Sequence, residues 1–133
     1  MKTFHTQERI RFMDTDAAGR IHFMFAFRFL EIGEEEAMRA LGFPSTGIGT
    51  VQALDLPRVH AECDYLAPLF YDDVIDIATR CERVGEHSIT WGFEITRDQT
   101  VCIRGRVVVA VVDRQTGKAA PVPQQWRTLL EEE

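Results

Sequence analysis

Two aspartates one residue apart, Asp14 and Asp16, stand in the short loop Asp14-Thr15-Asp16-Ala17-Ala18-Gly19, and the chain runs from that loop directly into a stretch dense in phenylalanine. Aspartate in such a place has two readings. It is common in turns and ahead of helices, where its carboxylate satisfies free backbone N–H groups. It is also a nucleophile or general base, and beside the start of a buried helix it would have N–H donors near any oxygen on which negative charge develops. Thioester hydrolysis needs that combination. The residues alone leave both readings open.

Other chemistries are missing their residues. The only serines are Ser45 and Ser88, neither in a G-x-S-x-G setting, there is no H-E-x-x-H, and Gly47-Ile48-Gly49 does not continue into a dinucleotide or phosphate loop. The D-T-D-A-A-G stretch imitates the start of a calcium loop, but Ala18 occupies the position where an oxygen ligand is needed. Cys63, Cys81 and Cys102 are an odd number without a C-x-x-C pair, so they are expected to be reduced and structural, and no metal is expected.

The elements that must position the loop are legible in the periodicity. Phe4 to Phe12 fits a strand that breaks at Asp14. From Phe23 to Leu41 the chain reads as one long helix: Phe23, Phe25, Phe27 and Phe29 also fit a period of two, but the continuation is rich in Glu, Ala, Met and Leu, and Gly42 supplies a stop. A helix apolar all round its first two turns is expected to be buried, and Gly33 in its middle to mark a close packing partner.

Four segments then alternate as strands. In Arg58 to Leu66 the apolar set is Val59, Ala61, Cys63 and Tyr65, against Arg58, His60, Glu62 and Asp64. In the next, Ile75, Ile77, Thr79 and Cys81 share a face. After Gly85-Glu86-His87 come Ile89, Trp91, Phe93 and Ile95. The turn Arg97-Asp98-Gln99-Thr100 leads to a central strand, Val101 to Val112, closed by Asp113-Arg114-Gln115-Thr116-Gly117. Short links without helices predict an antiparallel meander, and the tail after Pro121 and Pro123 a short surface helix. The fold class expected is α+β, one antiparallel sheet wrapped around one long helix, as a single domain over residues 1–133.

Composition agrees. A formal charge of −6 disfavours nucleic acid as a partner. No apolar run is long enough to cross a membrane, and the opening residues lack a secretory signal, so the expected location is cytoplasmic.

The stretch F-M-D-T-D-A-A-G-R-I-H-F-M-F-A-F-R-F-L-E-I-G-E, with A-L-G closing the helix, resembles the signature of the 4-hydroxybenzoyl-CoA thioesterase family, a branch of the hot-dog superfamily. L-P-R-V-H-A-E-C-D-Y-L-A-P-L-F-Y-D-D-V and V-V-D-R-Q-T-G-K-A-A-P-V-P extend the likeness to about Glu8 to Pro123. The resemblance implies hydrolysis of an acyl- or aryl-CoA thioester, with coenzyme A entering only as part of the substrate and no cofactor. The family's catalytic carboxylate is the second of the D-x-D pair, hence Asp16, as nucleophile or general base. Asp14 is then a loop-shaping residue, and Gly19, His22, Phe23 and Phe27 are the substrate-binding candidates, with backbone N–H groups near Phe23 holding the carbonyl oxygen. His22 sits one position before a functional histidine found in one branch, which leaves it as a pocket or a core residue. The turn that in some relatives holds the CoA phosphates is here Gly85-Glu86-His87, with Arg80, Arg83, Arg104 and Arg106 as substitutes or simply a solvated face; His60 reads as a surface residue. The resemblance further implies a homodimer or homotetramer with the site between subunits. The alternatives are a hot-dog dehydratase or hydratase using His22 and Glu31, or a non-catalytic acyl-binding module.

Overall fold

One face of the long helix α1 (Ala26–Ala40) decides the architecture. Ala26, Phe29, Leu30, Gly33, Glu34, Ala37 and Met38 are buried, the three-and-four spacing of a helix that turns one stripe to a sheet. In the computed structural model, which describes residues 1–43 and 53–132, α1 is preceded by a 3₁₀ turn, Phe23–Phe25, and the sheet against it has five strands. These are β1 (Thr3–Arg9), β3 (Arg58–Tyr65), β4 (Val74–Val84), β5 (Ser88–Arg97) and β6 (Thr100–Ala110); the short β2 (Leu54–Asp55) and β7 (Val112–Asp113) pair separately. The segment with Ser45 and Gly47-Ile48-Gly49 lies outside the described residues.

The strand order is β1-β4-β5-β6-β3, with every neighbour antiparallel. This is the α+β arrangement expected, and β4, β5 and β6 do form a meander. The first of the four segments departs from it: β3 pairs with β6, not with β4. Its link crosses the end of the sheet, where Cys102 O accepts from Leu66 N at 2.8 Å and Arg97 donates to Pro68 O at 2.8 Å. A link of ordinary length is compatible with either neighbour, and the apolar pattern of β3 suits both.

The hairpin turns follow the residues. Asp98 and Gln99 both have positive φ, the two-residue turn that matches strand twist. Asp113 Oδ1 accepts from Gln115 N at 2.8 Å and Thr116 N at 3.0 Å. Ile75, Ile77, Thr79, Cys81, Ile89, Trp91, Phe93 and Ile95 are all buried toward α1, as their alternation requires. The close partner of Gly33 is also there: a Cβ on Gly33 would lie 2.4 Å from Thr79 Oγ1 and 2.8 Å from Ile77 Cγ2. The C-terminal helix α2 (Gln124–Glu131) is more than a surface helix, since it buries Trp126 and Leu130, and Arg127 donates to Gly85 O at 2.6 Å.

Two expectations are corrected. The start of the long helix is not buried: Phe23 is 66% exposed and Met24 57%. The apolar pattern there marks a surface that the single chain leaves open. In β3, Val59 is 62% exposed and Arg58 faces the helix, the reverse of simple alternation. A bulge between Arg58 and His60 inserts the extra residue, so the period of two is broken at that point.

Candidate active site

The Asp14–Gly19 loop is built by its own aspartates. Asp14 is fully buried, and its carboxylate accepts Arg11 N at 2.8 Å and both Arg28 Nε at 3.0 Å and an Arg28 terminal nitrogen at 3.1 Å. Its carbonyl accepts His22 N at 2.7 Å. Asp14 thus ties the end of the first strand to the first turn of α1 through a bidentate pair, the strong form of carboxylate–guanidinium contact. The bonded carboxylate pushes the Arg28 guanidinium further up from its ordinary value, against the effect of burial. Arg28 was not singled out in the sequence, although one cation inside F-A-F-R-F signals a buried partner.

Asp16 differs. It is exposed, and Oδ1 accepts Ala18 N at 2.9 Å and Arg20 N at 3.2 Å, closing a tight turn in which Asp16 N donates to Arg20 O at 2.7 Å. Among the described residues, Oδ2 takes no hydrogen bond. Gly19 has φ +79°, the left-handed conformation glycine adopts without strain, and its carbonyl accepts Tyr71 N at 3.1 Å. With Ile21 N bonded to Leu69 O at 2.8 Å, the loop is pinned to the β3–β4 link.

The candidate binding residues gather at the helix start. His22 precedes the 3₁₀ turn, and its Nδ1 accepts Met24 N at 3.2 Å, so the neutral ring carries its proton on Nε2. The ring stacks on Phe23 with centroids 4.9 Å apart. His22 is therefore a half-buried cap of the 3₁₀ turn. Among the described residues nothing accepts the Phe23 N–H, one of the orphan donors of a helix start. Phe23 O is taken by the Tyr65 hydroxyl, which joins β3 to the helix start. Phe27, one turn along, lines a cavity of about 230 Å³ between α1 and β3 with Leu30, Glu34, Arg58, Ala61 and Phe93. Gly19 N donates to Asp16 O at 3.0 Å within the loop, His22 N donates to Asp14 O, and Phe27 lies in a cavity to whose lining Asp16 does not belong.

The buried acid Glu34 is bonded to Arg58, and burial raises its carboxyl above the ordinary range against the pull of that guanidinium. Glu31 is exposed at the same cavity. The arginines considered for phosphate are otherwise engaged or on the outer face: Arg104 bonds Glu94 at 2.8 Å and Arg106 bonds Glu82 at 3.0 Å, with Arg80 beside them. His60 contacts Glu62 on the same face. Burial pushes the Cys63 and Cys81 thiols up to about 11, which makes both poor nucleophiles at neutral pH. Among the described residues, no group of three or more His, Cys, Asp or Glu side chains is placed to hold a metal ion. No helix among them is long and apolar enough to cross a membrane.

The sequence profile of the thioesterase-like superfamily matches residues 10–130. A 1,4-dihydroxy-2-naphthoyl-CoA hydrolase from Prochlorococcus marinus (strain NATL1A) is 38% identical over 96 residues, covering 67% of this chain and 64% of that protein. The fold of the 1,4-dihydroxy-2-naphthoyl-CoA thioesterase from Synechocystis superimposes with TM-score 0.90 at 24% identity, covering 97% of this chain and 96% of that one. A 4-hydroxybenzoyl CoA thioesterase complexed with 4-hydroxybenzoyl CoA superimposes with TM-score 0.89 at 18% identity, covering 98% and 100%. The chain belongs to the thioesterase-like superfamily, as a thioesterase of the hot-dog fold.

Proposed function

We propose that the protein hydrolyses an acyl- or aryl-CoA thioester to the free acid and coenzyme A, with Asp16 as the catalytic carboxylate. The observation that supports this is an exposed carboxylate fixed through Oδ1 by two backbone N–H groups and, among the described residues, open at Oδ2, in the loop that leads into the 3₁₀ turn at Phe23. The fixed oxygen holds the group in place, and the open one is free to act. Asp16 either attacks the thioester carbon, expelling the CoA thiolate and leaving a mixed anhydride for water to cleave, or takes a proton from the water that attacks. In both cases the charge gathers on the carbonyl oxygen, where helix-start N–H groups stabilise it. The substrates named for the Prochlorococcus and Synechocystis proteins support an aryl-CoA.

The working unit in this reading is a homodimer or larger. The helix-facing side of β3, with Tyr65 48% exposed, lies at an unpaired sheet edge beside the open face of Phe23 and Met24. A second copy pairing there covers both the apolar residues and the free backbone groups.

The test is Asp16→Asn, assayed by thiol release on a panel of acyl- and aryl-CoA thioesters. The amide keeps the shape and loses the charge, so turnover falls at least about 100-fold with the oligomer and melting temperature retained. A folded variant keeping more than about a tenth of wild-type activity overturns the assignment.

A further inference from the structure

The cavity at Phe27 has a neighbour. Farther along α1, Met38, Leu56, Ile89, Trp91 and Val109 line a second cavity of about 290 Å³, and Glu31, Glu34 and Arg58 border both. The two are one groove between α1 and β3, divided where Glu34 on the helix bonds Arg58 on the strand. Glu34 is only 6% exposed, and the bulge after Arg58 is what turns that guanidinium inward. Arg58 is held from the other side as well, donating to Leu56 O at 3.0 Å. At the helix start the Tyr65 hydroxyl donates to Phe23 O, a second link from β3 to the helix side. On the Phe27 side of the pair the lining is Phe27, Leu30, Ala61, Phe93 and Val107, with Glu31 among them.

We propose that the Glu34–Arg58 pair is the end-stop of the acyl slot, restricting the protein to compact aryl and short acyl groups. This rests on the thioesterase reading above and adds the substrate class to it. From Phe23, where the thioester carbonyl would be held, to Glu34 is eleven residues, three steps of 3₁₀ turn and eight of α-helix, about 18 Å along the axis. Contact distance at the stop takes about 4 Å of that. A one- or two-ring acyl group fits the remainder, and an extended long-chain fatty acyl group does not. A longer chain would have to part a buried carboxylate from the guanidinium that bonds it, leaving Glu34 short of its partner while Arg58, 49% exposed, turns to water. The space beyond the stop, where Met38, Leu56, Ile89, Trp91 and Val109 stand with Glu31 and Glu35, would accept the chain if the stop were removed.

The experiment compares wild type, Glu34→Ala/Arg58→Ala and Ala61→Phe on straight-chain acyl-CoA thioesters of rising length plus benzoyl- and naphthoyl-CoA. Each is read as kcat/KM and as the Kd of the matching non-hydrolysable thioether analogue. Removing both partners together avoids stranding a buried charge. Wild type is expected to favour the aryl and short members. The double variant is expected to gain at least about tenfold in the long-to-short ratio of both kcat/KM and Kd, about 1.4 kcal/mol of discrimination. Ala61→Phe, which narrows the slot ahead of the stop, is expected to shift the ratio further toward short chains. An unchanged length profile in a folded double variant overturns the proposal. Should the double variant fail to fold, an unchanged profile in Ala61→Phe overturns it instead. A wild type that neither binds nor cleaves any CoA ester defeats the thioesterase reading itself, a separate result.

Discussion

The Asp14–Arg28 pair offers a sharp test of how the loop is held. Arg28→Gln leaves the Asp14 carboxylate fully buried with the Arg11 N–H as its remaining charge-stabilising donor. Breaking a buried ion pair by removing one partner costs about 3–5 kcal/mol, and because the Arg28 side chain is 35% exposed, water softens that to about 2–3 kcal/mol here. For a chain of this size the loss corresponds to a drop in Tm of roughly 6–10 °C. Asp14→Asn keeps an acceptor oxygen and strands only a guanidinium that water reaches, so it costs less, about 1–2 kcal/mol. The double variant Asp14→Asn/Arg28→Gln holds no stranded charge and melts above the sum of the single losses, with a coupling energy of about 1.5–2 kcal/mol. Thermal or urea unfolding of the four proteins at matched concentration measures it. A coupling below about 0.5 kcal/mol refutes the argument that these two residues act as one unit holding the loop to the helix.

In turnover, Asp14→Asn is expected to be less damaging than Asp16→Asn with the fold preserved in both; the reverse order, measured on one thioester, would transfer the chemical role to Asp14. Gly33→Ala should lower stability by about 1–3 kcal/mol, because the new methyl collides with Thr79 and Ile77 by more than the roughly 1 kcal/mol of helix propensity gained; a variant that melts higher would show that the contact yields. Glu34→Gln tests the raised carboxyl. A Glu whose folded value lies above the ordinary 4.5 binds a proton more readily when folded, so wild-type stability is highest below that value and falls as pH rises through it toward the folded one. The variant lacks this slope and should gain on wild type as pH rises above the ordinary 4.5; a constant difference contradicts it. Sedimentation at micromolar concentration should find a dimer or larger, and a fully active 15.2 kDa monomer would defeat the two-copy site.

Much of the frame was legible because it rests on local rules. The faces of β4 and β5, the turn at Asp98-Gln99 and the packing role of Gly33 follow from periodicity and from which residues tolerate positive φ. The neighbour of β3 was not legible, since strand order is decided by contacts far apart in the chain and a link of a few residues can serve a hairpin or cross the sheet end. Nor was the bulge at Val59, which reverses Arg58 with no local signal except a break in burial. The distinction between Asp14 and Asp16 came from resemblance, and the structure supplies a physical contrast to it: one acid is wholly bonded and buried, the other exposed and half-bonded. Arg28, Tyr65 and the Glu34–Arg58 pair were missed as participants because each matters through a partner far along the chain.

Some of the residues where sequence rules misread burial meet where β3 reaches the helix start. Phe23 and Met24 break the rule that an apolar helix start is buried, and Tyr65 and Val59 break it for a strand with an apolar face. Tyr65, on the free edge of β3, bonds Phe23 O at the helix start, so two of these open residues meet. A hydrophobic pattern records the burial a residue meets in the working molecule, so a pattern unsatisfied within one chain points to a partner surface. If a second copy covers that edge, the same association that removes the apolar residues from water also roofs the slot and lowers the dielectric around the carboxylate and the helix-start N–H groups. Assembly and chemistry would then share one cause, and variants that weaken pairing at β3 without touching Asp16 should lose turnover in proportion to the dimer lost.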